Sequence, residues 1–212
     1  MPVRHILMLA LSFCILLGAC ARPAPAPHPV AREASLGLAP FTQPTGTEAL
    51  LLGRLPELQG AIPADTLRRL DAAYAAMLKK SSAHRIAPLP AADAPVFNRF
   101  HESGSPRALT AWVSYGRAHR VDMLIVPQVL DWHQREGSPA GVTESAAVRL
   151  EFFLLDVRTG AIVNRSITEE KQLGLLEDLS RTKAFFKRHG AWVTAEELAE
   201  EAMQKSIKDL GL

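Results

Sequence analysis

Few residues in this sequence have the types and spacing that catalysis or metal binding requires. The chain has no Gly-rich phosphate-binding loop, no Gly-x-Ser-x-Gly motif and no pair of histidines at metal-ligand spacing on a predicted helix. Glu169-Glu170 and Glu196-Glu197 are adjacent carboxylates, which point to different sides of a strand or helix instead of converging on one substrate. We therefore predict no catalytic residue, no metal site and no cofactor. A cell-wall hydrolase with an unrecognised site is the lesser alternative.

The amino terminus contains a thiol for which a modification is predicted. Arg4 and His5 precede an apolar run over residues 6–17, which is shorter than the roughly 20 residues of a membrane span and fits a signal peptide over residues 1–19. The run ends in Leu17-Gly-Ala-Cys20, which resembles the lipobox of bacterial lipoproteins. That resemblance implies cleavage before Cys20 and a diacylglyceryl thioether on its sulfur. Ordinary signal cleavage nearby would instead leave Cys20 unmodified.

The residues after Cys20 indicate where an acylated chain would lie. Ala21 and Arg22 follow the cysteine instead of aspartate, and the sorting rules of enteric bacteria then imply the periplasmic face of the outer membrane. Acyl chains such as palmitate contribute about 0.8 kcal/mol per buried methylene group, so two or three chains anchor a protein stably. The membrane, reached through Cys20, is the first predicted partner.

Composition argues against two other classes of interaction. The formal net charge is +2 and the sequence contains no run of Lys and Arg, whereas phosphate contacts need a basic face, so we predict no nucleic-acid partner. The 2 cysteines, Cys14 and Cys20, both lie in the amino-terminal segment. The folded part is therefore predicted to contain no disulfide and no cysteine metal site.

Proline and hydrophobic patterns divide the rest of the chain. Residues 20–44 are rich in proline, which favours an extended spacer of about 3.1 Å per residue and would hold a domain away from a membrane. We predict that residues 20–44 are a tether, residues 45–173 an α/β domain, and residues 174–212 a helical tail packed on that domain.

The first half of the domain reads as alternating strands and helices. A strand over Glu48–Leu55 precedes a helix that opens at Pro63. A strand over His84–Leu89 then precedes a helix that opens at Ser105-Pro106.

The second half, from Val121 to Lys171, predicts three consecutive antiparallel strands. Met123–Val126 is apolar throughout, and the run over residues 145–157 first alternates and then becomes apolar on both faces. Asp156–Gly160 suits a tight turn. The predicted fold class is therefore α/β (α+β), a mixed sheet of about five strands packed by helices.

Two carboxy-terminal helices complete the predicted fold. The first covers residues 177–189, and the second begins at Thr194 with a capping box and carries an apolar stripe over residues 198–210. We predict that they cover the part of the sheet that Phe153 and Leu155 leave apolar.

Residues in the predicted sheet carry a resemblance to a group of envelope proteins. Val-Asp-Met-Leu-Ile-Val at 121–126 and Leu-Glu-Phe-Phe-Leu-Leu-Asp-Val-Arg-Thr-Gly at 150–160 resemble segments of the TolB amino-terminal domain, the curli-secretion lipoprotein CsgG and the synthase activator LpoB. The chain departs from that pattern at Arg120-Val121 and at Asn164, and its tail is similar to uncharacterised bacterial lipoproteins. The resemblance implies a non-catalytic periplasmic domain.

The segment Asp131–Gly141 is predicted to join two strands as a loop and to contact a partner. Trp132, His133 and Arg135 are the candidate partner-binding residues, because aromatic and Arg side chains are enriched at binding hot spots, although Trp132 could instead close the end of the sheet. The predicted function is a membrane-anchored periplasmic lipoprotein that binds a periplasmic protein or cell-wall partner, or assembles with itself as a homo-oligomer. A subunit of an oligomeric secretion pore is the alternative.

Overall fold

The computed structural model describes residues 26–97, 107–138, 141–171 and 193–212. The strands are β1 (Leu36–Leu38), β2 (Ile86–Pro88), β3 (Met123–His133), β4 (Glu136–Ser138), β5 (Gly141–Glu144), β6 (Ala147–Asp156) and β7 (Ala161–Lys171), and the helices are α1 (Ala64–Ser81), α2 (Ala108–Ala118) and α3 (Ala195–Asp209). Five strands form one mixed sheet in the order β2-β1-β3-β6-β7, and β4 pairs with β5. The predicted α/β (α+β) fold is confirmed.

The first half of the sheet is parallel. β1 pairs with β2 on one side and with β3 on the other, both in parallel, so α1 and α2 each carry the chain back to the beginning of the next strand. α1 buries Leu70, Tyr74 and Leu78 on one face of the sheet, and α2 buries Trp112 on the opposite face. The helix predicted from Pro63 is confirmed, and the helix predicted to open at Ser105-Pro106 begins at Ala108 in the described part.

The second half of the sheet is the predicted antiparallel meander. β3 pairs with β6 and β6 pairs with β7, so Ile125, Leu154 and Asn164 lie side by side. The turn between β6 and β7 forms as expected, since the Thr159 backbone N–H donates to Asp156 Oδ1 at 2.9 Å and Gly160 adopts a φ of 75°.

A separate apolar core lies on each face of the sheet. α3 packs on the face that presents Phe152 and Leu154, while α2 covers the face with Phe153 and Leu155. The prediction that α3 covers Phe153 and Leu155 is therefore wrong, because successive residues of a strand point to opposite faces. The other predicted tail helix, over residues 177–189, lies outside the described residues.

The start of α3 has the predicted capping box. Thr194 Oγ1 accepts the backbone N–H of Glu197 at 3.2 Å, and the Glu197 carboxylate accepts the backbone N–H of Thr194 at 2.7 Å. Farther along α3, Ser206 Oγ lies 2.7 Å from the hydroxyl of Tyr74 on α1. These contacts make α3 part of the domain core.

The first strand lies earlier in the chain than predicted. Leu36–Leu38 forms β1 in the interior of the sheet, within the segment predicted as a tether, and the chain is folded well before residue 45. The strand predicted over Glu48–Leu55 is wrong: Thr47–Ala49 is one turn of 3-10 helix and Gly53 has a φ of 82°. Ala49, Leu50 and Leu51 of this run are buried without forming a strand, and the Leu51 N–H donates to Gln128 Oε1 at 3.3 Å.

Candidate binding surface

The segment predicted as a partner-binding loop begins as sheet. β3 continues to His133, and the chain then forms the β4–β5 hairpin. A β-bulge between Val129 and Asp131 inserts one residue, so Asp131 lies opposite Arg149 and Trp132 opposite Val148. The hairpin therefore projects from the end of β3 where α1 and α3 begin.

Trp132 points into the core. The bulge changes the phase of the strand, and the indole lies on the same face as Val148, 4% exposed and in the same apolar cluster as Leu198. Without the extra residue, alternation along β3 would direct Trp132 to the opposite face. The prediction of an exposed Trp132 is wrong, and this side chain is not available to a partner.

His133 and Arg135 lie at the surface beside the hairpin. The His133 side chain is 44% exposed, with Nε2 3.0 Å from Asp131 Oδ1. Asp131 Oδ1 also accepts the backbone N–H of Gly60 at 2.7 Å, which ties the segment before α1 to the end of β3. Arg135 is half-buried and has polar contacts of its own. These two residues are the part of the predicted set that a partner could reach.

Gln134 joins the hairpin base to the first turn of α3, and sequence reasoning missed it. Its Nε2 donates to Glu196 Oε2 at 2.6 Å, and its Oε1 accepts the backbone N–H of Ala195 at 2.9 Å. Glu196 also receives a hydrogen bond from Arg69 Nη2 on α1 at 3.2 Å. Partial burial raises the pKa of Glu196, but the hydrogen bonds from Gln134 and Arg69 lower it more, so the carboxylate stays ionised. The network holds the hairpin base in a fixed position on two helices.

A buried carboxylate lies in the middle of the sheet. Glu151 on β6 has no exposed side-chain surface, and its oxygens are 2.6 Å from Arg165 Nη2 and 3.5 Å from Arg149 Nη2. The Arg165 guanidinium lies over the ring of Phe153, 5.3 Å from its centroid. This group of charges contains no hydroxyl or thiol, and its contacts are those of an ion-pair cluster that holds adjacent strands together.

A small cavity of about 70 Å³ lies at the carboxyl ends of β1 and β2, lined by Leu38, Pro88 and Asp71 among others. Ligands in open α/β sheets often bind at such strand ends, but in volumes of roughly 300–1,000 Å³. Asp71 Oδ1 accepts the backbone N–H of Phe41 at 2.6 Å, and burial raises the pKa of this carboxyl group. The cavity is too small for an organic substrate.

Residues 26–97, 107–138, 141–171 and 193–212 contain neither a metal site nor a hydroxyl group paired with a histidine ring. In these ranges no three His, Cys, Asp or Glu side chains come together as a metal site. The hydroxyl hydrogen bonds found there, such as those of Ser35, Ser166 and Ser206, involve carboxylates, a tyrosine, an arginine or backbone and not a histidine ring. None of the described helices is both long and apolar enough to span a bilayer.

Comparison with known proteins identifies the fold. No family model matches the chain, and no curated protein matches it in sequence. The PelC dodecamer from Paraburkholderia phytofirmans is similar with a TM-score of 0.50 and 14% identity, over 88% of this chain and 94% of PelC. A point variant of that dodecamer also gives a TM-score of 0.50, at 13% identity, over 89% of this chain and 96% of its own. At these identities the likeness shows a shared fold.

LpoB, which the sequence resemblance includes, is also among the structures found. The carboxy-terminal domain of LpoB from Salmonella enterica has a TM-score of 0.35 and 11% identity, over 75% of this chain and 92% of that domain. This score is too low to support a functional argument.

Proposed function

We propose that this chain is an envelope lipoprotein, anchored through Cys20 at the periplasmic face of the outer membrane, whose folded domain is a non-catalytic binding or assembly module. The observation that carries the proposal is the combination of Leu17-Gly-Ala-Cys20 with a fold like that of the PelC dodecamer. The lipobox supplies the anchor. The polar cluster around Glu151 joins β6 to β7, and the cluster around Gln134 joins the hairpin base to α3.

The proposed assembly is self-association. PelC is a dodecamer, and a shared fold makes similar surfaces available to this chain. β7 is an 11-residue strand at the edge of the sheet, and edge strands present backbone groups that can pair with another chain. A subunit of an oligomeric secretion pore is a second candidate, which the dodecameric state of PelC favours.

A second proposed contact surface, besides the edge of β7, is the β4–β5 hairpin with His133 and Arg135. The hairpin base is held by Gln134 and Glu196, so a partner would meet a preorganised surface there. The bound partner is a second copy of the chain or a periplasmic protein or cell-wall component.

Metabolic labelling with an alkyne fatty acid tests the anchor. Wild type and Cys14→Ser should be labelled, because Cys14 leaves with the signal peptide, and Cys20→Ser should not. Equal labelling of Cys20→Ser and wild type would refute the anchor.

Native mass spectrometry of the labelled protein in detergent tests assembly. A closed oligomer supports the assembly module, whereas a monomer at all concentrations refutes self-association and leaves binding to another component as the proposed role.

A further inference from the structure

The three helices end at the same end of the sheet. α1 and α2 run antiparallel to the strands that they connect, so both finish where β1 and β3 begin. α3 runs alongside α1 in the same direction, since their first turns meet through Arg69 and Glu196, and Tyr74 meets Ser206 farther along. All three helices therefore finish at the same end of the sheet, α1 and α3 on one face and α2 on the opposite face.

This end of the molecule carries exposed bases. The last helical turns contain Lys79 and Lys80 of α1, Arg117 of α2 and Lys208 of α3, and Arg120 and Arg158 lie in the adjoining turns. We call these six residues and the surface around them the basic end.

The bases of this end outnumber its carboxylates, which include Asp93 beside His119, and three other carboxylates accept hydrogen bonds within the fold while keeping their charge. Asp122 accepts the backbone N–H of Ser35 at 2.8 Å, Asp156 accepts that of Thr159 at 2.9 Å, and Asp209 accepts Ser166 Oγ at 2.6 Å. Glu33 is exposed. In the described ranges Lys79, Lys80 and Lys208 form no ion pair, so their charges face solvent.

The opposite end of the molecule is where the first helical turns lie, and these carry Asp65 on α1 and Glu196 and Glu197 on α3. Acids in first turns and bases in last turns complement the helix dipoles. In α1 and α3, which run in the same direction, this preference places acids at one end of the domain and bases at the other.

The first described residues of the chain lie beside the basic end. The Asn164 amide pairs with the backbone of His28 in both directions, accepting its N–H at 3.0 Å and donating to its C=O at 3.0 Å. Asn164 Nδ2 also donates to the C=O of Leu210, directly after α3, at 2.9 Å. Asn164, where the chain departs from the envelope-protein pattern, thus fixes the point at which the segment leading to Cys20 departs.

The distance from that point to Cys20 is limited. Residues 20 and 28 are eight positions apart, which spans at most about 29 Å at full extension. A membrane that holds an acylated Cys20 would therefore lie near Asn164 and the basic end, and the hairpin with His133 would face away from it.

We propose that the basic end is a docking surface for anionic phospholipid headgroups. The proposal rests on the proposed function for its orientation, because the lipid anchor would bring this end to the bilayer. Basic residues close to an anionic membrane are attracted to it, and an acyl anchor combined with a basic patch forms a two-part attachment. Docking would hold the domain in one orientation on the tether.

Vesicle binding by unacylated protein tests the docking surface. The protein is the chain from residue 20 with Cys20→Ser, which retains every described residue. It should cosediment with phosphatidylcholine vesicles that contain phosphatidylglycerol, and salt should weaken the binding. The triple variant Lys79→Gln, Lys80→Gln and Lys208→Gln should lower the partition coefficient roughly a hundredfold, because it removes the attraction of three bases to the anionic membrane.

A matched control removes the same charge elsewhere. Arg54→Gln with Arg68→Gln and Lys171→Gln replaces three exposed bases outside the basic end. Arg68 lies near the beginning of α1 and Lys171 at the last residue of β7, so the change in the partition coefficient should stay below about threefold, because salt screens charges away from the docked surface. Thermal unfolding curves should match wild type for both triple variants. Equal loss of binding in the two variants, or equal binding to vesicles of phosphatidylcholine alone, would overturn the proposal. Failure of fatty-acid labelling at Cys20 would refute the anchor without affecting this result.

Discussion

Replacement of Trp132 by alanine should destabilise the fold by about 3–5 kcal/mol, as large aromatic-to-alanine changes in cores do. The indole is 4% exposed, so the change removes nearly all of its buried surface. An aromatic side chain buries roughly 150–250 Å², and at about 25 cal/mol per Å² this gives a similar figure of about 4–6 kcal/mol as an upper bound.

Urea unfolding followed by far-UV circular dichroism measures this loss. With a slope of about 2–3 kcal/mol per molar, the midpoint should fall by roughly 1–2.5 M. His133→Ala is the control, because the neighbouring side chain is exposed on the other face, and surface changes stay within about 0.5 kcal/mol.

A Trp132→Ala midpoint close to wild type would refute the burial of the indole. It would also refute the bulge between Val129 and Asp131, because that extra residue is what directs Trp132 into the core.

Four further predictions concern the packing and the surface. A chain that stops after Gly190 lacks α3 and should aggregate or lose its cooperative melting transition, whereas an unchanged melting curve would show that α3 is an appendage. Tyr74→Phe should lower the free energy of unfolding by about 1 kcal/mol, because Ser206 keeps its bond to the Met203 C=O, and urea titration measures the change. The pKa of Glu196 in the folded protein is below its ordinary value of 4.5, so the carboxylate contributes its full stabilisation above pH 4.5 and loses it as the pH falls through the lowered pKa. Glu196→Gln should therefore flatten the acidic part of the curve of unfolding free energy against pH, by less than about 1 kcal/mol. His133→Ala with Arg135→Ala should keep stability within about 1 kcal/mol of wild type and weaken oligomers in native mass spectrometry, while intact oligomers in this variant would place the self-association surface elsewhere.

Elements with a strong local pattern could be predicted from the sequence. The alternation and apolar runs of β3, β6 and β7 need only neighbouring residues to be recognised, as do the stripe of α1 and the capping box of α3. The turn at Asp156–Gly160 is equally local, because its hydrogen bond and its positive φ belong to residues of the turn itself.

β1 could not be predicted in this way. Leu36–Leu38 follows a proline-rich segment and is only three residues long, which is too short to show the alternation of apolar and polar residues that marks a strand. It is a strand because β2 and β3 both pair with it, and the longer apolar run at residues 49–52 packs as irregular chain instead. The environment of Trp132 depends in the same way on a register shift against β6, which local sequence does not contain.

The sequence by itself determined the elements with a strong local pattern, such as β3, β6, β7, α1 and α3, and the candidate anchor at Cys20, because each depends on residues close together in the chain. Only the tertiary structure decided which charges are neighbours. With a net charge of +2 and no run of bases, the sequence indicates no basic surface. The basic end exists because three helices finish at one end of the sheet, where Lys208 lies two residues before Leu210, whose C=O accepts a hydrogen bond from Asn164 Nδ2. Electrostatic attraction acts through space, so residues far apart in the chain form one surface once the fold has fixed the helix directions.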